Sequence, residues 1–350
     1  MKPVRVGLIG CGEIAAKDTL PAIQASGRLK VVAAMDVNLD LARDLAEKGG
    51  AAFWTDRAET LAARPDVEAV IVSTPHHLHV PMGLLAARHG KHVLVEKPIA
   101  TTGADARRLI AACKRKGVIL SVLYIRRFEP VARKTAELIR KGVLGRTTGF
   151  SLISMGEKKE SYWTSGFTGR VVTDWRTRKA TSGGGFLMMN FSHNIDLIQS
   201  LLGVEPASVY AQYDTFRTPV EVEDYVSVTA RYRCGAIGTF LGSTVCPGAL
   251  RVPDHIFGTH GTIVMDNPLR VFTRKKIRGL KPDEWNEFPL PSARASRADF
   301  LTQFAKAVRG QAAPPATGEE ALVSLRVIEA AYRSQEERKP IALARGARRS

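Results

Sequence analysis

From residue 4 to residue 123 the chain alternates short, β-rich apolar runs with helical segments, and few folds can absorb that alternation. The strand-like runs fall at 4–9, 29–35, 51–54, 67–73, 93–95 and 118–123, and helical periods fill 39–48, 57–64, 80–89 and 104–116. A run such as Val93-Leu94-Val95 is apolar without alternation, as a strand buried on both faces must be. Parallel neighbours also need a long crossover, usually a helix, to bring the chain back to the same edge. This half is therefore predicted to be α/β, a doubly wound parallel sheet with helices on its faces.

In such a sheet ligands bind beyond the carboxyl ends of the strands, so the residues there carry most information. The first run leads directly into Gly10-Cys11-Gly12-Glu13-Ile14-Ala15. Gly10 permits a tight turn, Gly12 lets a pyrophosphate approach the backbone, and Ala15 lets a helix pack closely on the strand. The phosphates would rest on the amides that open the helix, from Glu13 and Ile14 onward. The second run ends at Asp36, near the offset of about 20 residues at which an acid grips the adenosine ribose diol. Val37 and Asn38 follow, with no arginine for a 2′-phosphate, so NAD is expected in preference to NADP. The competing role for Asp36 or Asn38 is to cap the helix 39–48.

Two further strand ends stand out. Thr74-Pro75-His76-His77-Leu78-His79 follows the fourth run. Its three histidines raise the question of a metal, but no clustered Cys, Asp or Glu completes a site locally, and none is expected. The loop is better suited to line the nicotinamide side of a dinucleotide. The fifth run ends in Glu96-Lys97-Pro98, where proline favours extended backbone at Lys97 and refuses a ladder hydrogen bond. The pair is either a surface ion pair or aimed at a ligand.

Beyond residue 123 the period changes. Tyr124-Ile125-Arg126-Arg127-Phe128 leads into a helix at 130–140 and a strand at 147–154. Residues 156–182 are polar and aperiodic yet carry Tyr162, Trp163, Phe167, Trp175 and Arg176. Long loops of this kind are usually functional or disordered, and aromatic faces suit the C–H faces of sugar rings; the alternative is that they pin the loop to its own domain. Gly183-Gly184-Gly185 opens a helix predicted to reach 202, with Asn190, His193 and Asp196 three residues apart on one face. Short alternating strands at 209–213, 225–232, 236–243, 254–258 and 262–265 predict an open, antiparallel sheet. Helices near 298–309 and 319–333 follow.

Length and composition limit the remaining choices. The 350 residues suit two domains, 1–123 and 124–350, each able to bury its own core. With 45% hydrophobic and 24% charged residues the chain reads as a soluble globular protein, and no apolar run nears the roughly 20 residues of a membrane span. A first strand beginning at Val4 leaves no room for a secretory leader. Cys11, Cys113, Cys234 and Cys246 have neither metal-ligand spacing nor disulfide-framework density, so a reducing cytoplasm is expected. The net charge of +17 is spread along the chain and mixed with acids, apart from a basic tail at 345–350. Attraction of anionic ligands is expected rather than a nucleic-acid partner.

Taken in order, these motifs resemble the Gfo/Idh/MocA family, the glucose–fructose oxidoreductase and inositol dehydrogenase group. The resemblance runs from Val4 to about Leu343. It rests on Gly10-Cys11-Gly12, Asp36, Thr74-Pro75 with His79, Glu96-Lys97-Pro98, Trp175-Arg176, the triple glycine with His193 and Asp196, and Phe257-Gly258-Thr259 with Gly261-Thr262. It implies a Rossmann domain followed by an α/β domain with a large, mostly antiparallel sheet that pairs subunits into a homodimer or homotetramer. It also implies NAD(P)-linked oxidation or reduction at a secondary alcohol of a sugar, sugar derivative or cyclitol. Carried over by position, Lys97 stands beside the reacting oxygen and His193 accepts the proton. Cofactor contacts would be Gly10, Gly12, Glu13, Ile14, Asp36, Thr74, Pro75, His76, His79, Glu96, Lys97, Arg126, Trp175 and Arg176. Substrate contacts would be Lys97, Tyr124, Tyr162, Trp163, Arg176, Asn190 and His193. Two positions depart from the family pattern: Met189 replaces an acid one turn before the histidine, and Ile125 replaces an amide. The same scaffold also serves NAD-dependent glycosidases, which oxidise transiently, and non-catalytic NAD-binding regulators.

Overall fold

The computed structural model describes residues 2–345; the basic run at 346–350 lies outside them. By contacts the chain divides into two compact units, each assembled from three segments. The first comprises 1–125, 159–184 and 294–325; the second comprises 126–158, 185–293 and 326–350.

The first unit is built on six parallel strands: β1 Val4–Ile9, β2 Leu29–Met35, β3 Trp54–Thr55, β4 Ala69–Val72, β5 His92–Val95 and β6 Leu120–Val122. Their order is β3-β2-β1-β4-β5-β6, the Rossmann order. The central strands are apolar because helices cover the sheet, and β4 is buried at every residue. The strand expected at 51–54 is only Trp54–Thr55, an edge strand with few partners to extend it. Helices Leu39–Lys48 and Gly103–Arg115 start where Asn38 and Thr102 turn side-chain oxygens onto their first amides.

Helix Ser296–Val308 also packs in this unit, although it follows the sheet by some 170 residues of chain. At its end Arg309 grips Glu68 with two bonds, 2.8 and 3.2 Å. The guanidinium holds the Glu68 carboxyl well below its ordinary 4.5, at about 2. A depressed folded pKa means the pair contributes stability above the unfolded value and loses it as pH falls from about 4.5 to about 2. Glu68→Gln should therefore lower the melting temperature at neutral pH and flatten its decline across that window. Parallel melting curves of variant and wild type against pH would dispose of this linkage.

Among the described residues the second unit carries nine strands: β7 Thr147–Met155, β8 Pro206–Asp214, β9 Tyr225–Tyr232, β10 Ile237–Ser243, β11 Asp254–Gly258, β12 Gly261–Met265, β13 Leu269–Thr273, β14 Trp285–Phe288 and β15 Ile341–Ala342. The order is β14-β13-β12-β11-β7-β10-β9-β8-β15. Only β7 and β10 run parallel; the other pairs are antiparallel. β9 alternates buried and exposed residues, as expected when one face of a sheet is left open. On the covered face Phe150, Tyr232, Phe240 and Phe191 meet edge to face. Gly242 lets the helical segment carrying Phe191 approach, since a Cβ there would lie 2.0 Å from the Phe191 ring.

The single helix expected from the triple glycine to residue 202 is two pieces, a π-helical turn Leu187–Phe191 and an α-helix Ser192–Leu202. Such wide turns shift the register of the residues beyond them and often occur at functional sites. Among the described residues no helix is long and apolar enough to cross a membrane.

Candidate active site

In the first unit the strand order reverses between β1 and β4, and the glycine turn lies there. Gly10 has φ +91°, and a Cβ would stand 2.7 Å from the Ser73 carbonyl just beyond β4. Only glycine fits. At Gly12 the nearest atom to a Cβ would be Val171 Cγ2 at 3.8 Å, so its surface is open to a close-approaching ligand. Ala15 begins a π-helical turn, Ala15–Thr19, that continues as helix Leu20–Ser26. This cradle fits a dinucleotide: the backbone lies bare where phosphates would contact it.

Asp36 accepts the Cys11 amide at 2.7 Å on one oxygen and the Asn38 amide at 3.0 Å on the other. The helix cap is Asn38, whose side chain accepts from Asp40 and Leu41. Asp36 is thus fixed by the turn itself, and a carboxylate with about four acceptor positions keeps capacity for ribose hydroxyls.

The loops after β4 and β5 are fastened to each other. His79, 1% exposed, places Nδ1 2.7 Å from the Pro98 carbonyl and Nε2 2.9 Å from that of Thr74. Burial pushes its pKa down, against the two carbonyls and the Glu96 charge, which push it up. His79 is therefore held between the two loops with its ring inside, the neutral ring donating to one of these carbonyls at a time. His76 is also buried, with Nδ1 2.7 Å from the Ser182 carbonyl and its ring 4.6 Å from that of Trp175. Burial, with His79 and Lys97 nearby, holds it well below the ordinary histidine value, so it is neutral at pH 7. Glu96 is held from far along the chain: Arg297 donates to its Oε1 at 2.8 Å and to Thr19 at 3.2 Å. The Lys97 amide lies 3.3 Å from Glu96 Oε2, and the Lys97–Pro98 bond is cis.

Residues 159–184 are not structureless. They form short helices Ser161–Ser165 and Lys179–Ser182 and pack in the first unit against the dinucleotide turn. The Phe167 amide donates to both oxygens of Glu13, at 3.0 and 2.8 Å, so Glu13 spends its side chain on this segment. Tyr162 and Trp163 are buried, edge to face with each other, and Arg176 lies 5.2 Å from the Tyr162 ring centre and 4.5 Å from that of Trp175. Tyr124 is buried in the same unit.

The remaining candidates, Arg126, Asn190 and His193, belong to the second unit. Asn190 Oδ1 accepts from Lys158 at 3.0 Å. His193 is partly exposed in the first turn of its α-helix. Asp196 faces the same way by spacing but is a fastener: Arg127 binds it with two bonds of 2.6 and 2.8 Å. Arg126 is engaged with Glu129 at 3.6 Å and Asp254 at 3.5 Å. Glu223 anchors the helix start, accepting the Gly185 and Leu187 amides at 2.8 Å each and the Tyr332 hydroxyl at 3.0 Å. Burial raises its pKa, and those three donors offset much of the cost of its charge. Arg127, Glu223 and Arg297 carry no local sequence signal, because each acts through a partner distant in the chain. Among the described residues no group of three or more His, Cys, Asp or Glu side chains could hold a metal ion.

Comparison with known proteins places these features in context. Residues 4–124 match the family described as "Oxidoreductase family, NAD-binding Rossmann fold", and residues 132–264 match the "GFO/IDH/MocA C-terminal domain". The 1,5-anhydro-D-fructose reductase of Ensifer adhaerens is 30% identical over 325 residues, covering 92% of this chain and 93% of that protein. The NADP-linked scyllo-inositol 2-dehydrogenase of Bacillus subtilis is 28% identical, with 81% of each covered. The WlbA dehydrogenase of Bordetella pertussis, solved with NADH and UDP-GlcNAcA, shares the fold with a TM-score of 0.82 at 27% identity, over 99% of this chain and 100% of that one.

Proposed function

This chain belongs to the Gfo/Idh/MocA oxidoreductase family, and we propose that it transfers hydride between a secondary alcohol of a sugar, sugar derivative or cyclitol and the nicotinamide of NAD. The observation that carries this reading is Lys97, at the carboxyl end of β5 beyond a glycine cradle suited to a dinucleotide. When bound, the nicotinamide takes up or gives the hydride. The chain must then hold the substrate oxygen and move its proton. Lys97 supplies positive charge for the developing alkoxide, and His193 accepts the proton. Glu96, anchored by Arg297, and the His79 tie between Thr74 and Pro98 restrain the backbone around Lys97. Tyr124, Tyr162, Trp163, Arg176 and Asn190 complete the proposed sugar contacts.

Incubating the protein with NAD and a panel of sugars, cyclitols, sugar acids and glycosides tests the reading. Net NADH formation with a free polyol supports it; turnover of glycosides without net NADH points instead to transient oxidation.

Cofactor choice follows from Asp36, whose carboxylate suits ribose hydroxyls and opposes a 2′-phosphate. Asp36→Ser should weaken NAD binding and relax the preference; a wild type that binds NADP more tightly than NAD would contradict this role. The open face of the nine-stranded sheet suits a second copy of the chain. Paired positions run across it from Trp285 through Phe272, Thr262, Phe257 and Gly149 to Ile237, with Trp285, Phe257 and Ile237 exposed. On composition, with two of its four free cysteines buried, we assign the protein to a reducing cytoplasm.

A further inference from the structure

The adenosine end of the dinucleotide cradle holds a cation that comes from far along the chain. Two carboxylates stand there by sequence, Asp36 after β2 and Asp44 in helix Leu39–Lys48. Alone they would repel a further anion. Arg170 donates from Nη2 to Asp44 at 2.7 Å and from Nε to the Cys11 carbonyl at 3.2 Å. The Cys11 amide in turn donates to Asp36 at 2.7 Å, so the guanidinium and the ribose-binding acid hold the same residue of the turn. Asp44 is shared with Lys48, also at 2.7 Å, and so does not consume the arginine's charge. The pull of these two cations keeps the Asp44 carboxyl below the usual range.

Arg170 is preset by the fold. Its segment is pinned to the turn by the Phe167 amide on Glu13, and Gly166 passes so close that a Cβ would lie 2.0 Å from Glu13 Oε2. Two edges of the guanidinium are committed, and Nη1 has no partner among the described residues. The side chain is 20% exposed, open to a ligand yet restrained. A planar guanidinium with a donor edge remaining is the group best matched to phosphate.

We infer that Arg170 receives the 2′-phosphate of NADP, so that the chain binds NADP alongside NAD although no arginine follows Asp36. The inference rests on the dinucleotide reading of the Gly10–Ala15 turn. Asp36 sets the preference for NAD, and Arg170 limits how strong that preference is by supplying the cation usually found next to the acid.

Titration with NADH and NADPH, followed by quenching of protein fluorescence, tests this on wild type, Arg170→Gln and Arg170→Lys. Wild type should bind both, NADH more tightly. Arg170→Gln should weaken NADPH about tenfold to a hundredfold more than NADH, the loss of one charge-assisted bond; the lysine variant should fall between. Retained NADH binding is also the control for an intact cradle. Equal losses for both dinucleotides, no loss for either, or a wild type that binds NADH but not NADPH would each overturn the assignment. A wild type that binds neither would instead reject the dinucleotide reading beneath it.

Discussion

Lys97→Met is expected to lower turnover by about 10²–10³, the usual cost of removing one electrostatic stabiliser of a developing oxyanion. Methionine keeps the length of the side chain and much of its apolar stem but removes the charge. The residues that position the loop stay in place: Glu96 on Arg297, and His79 between Thr74 and Pro98. The loss should therefore fall on kcat, with NADH affinity near that of wild type, because Lys97 acts on the substrate oxygen as charge develops there. A steady-state comparison with a fluorescence titration of NADH separates the two. Near-normal turnover would remove Lys97 from the chemistry. A loss of NADH binding equal to the loss of rate would make it a cofactor ligand.

His193→Asn should be comparably severe, since positioned proton transfer contributes roughly 10²–10⁴. A histidine must be neutral to accept the substrate proton, so oxidation by the wild type should slow as the medium is acidified. In the variant that acid limb should vanish along with most of the activity. Asparagine is small enough for the helix to persist, because its start is held by Glu223 and its middle by the Arg127–Asp196 pair. The measurement is kcat/KM against pH for both proteins. An active variant that retains the wild-type profile would place the base elsewhere.

Local pattern carried much of the architecture. The runs at β1, β2, β9 and β11 and the helices Leu39–Lys48 and Pro130–Arg140 fall where apolar period and turn residues put them. These are elements whose burial shows directly as a repeat of two or of three to four residues. The strands β13, β14 and β15 were not legible. They are short, lie toward the edges of the sheet, and owe their conformation to the ladder of a neighbour. The π-helical turn before His193 was hidden for a related reason. It is set by the anchoring of Gly185 and Leu187 on Glu223, a residue 36 positions or more away in the chain.

By itself the sequence determined the parallel sheet, the glycine turn at its switch point and the acid at the end of β2. The first two follow from the repeated apolar runs and the glycine spacing, and the hold of Asp36 on the Cys11 amide lies within one βαβ unit, where spacing along the chain nearly sets spacing in the fold. Only the tertiary structure decided what the long aperiodic segment does. Glu13 meets the Phe167 amide across 154 positions, and Arg170 reaches Cys11 across 159. No period of two or three to four residues encodes such a meeting. It arises because a buried carboxylate must find a donor and a guanidinium a carboxylate, and the partners that satisfied them lay at the far end of a loop.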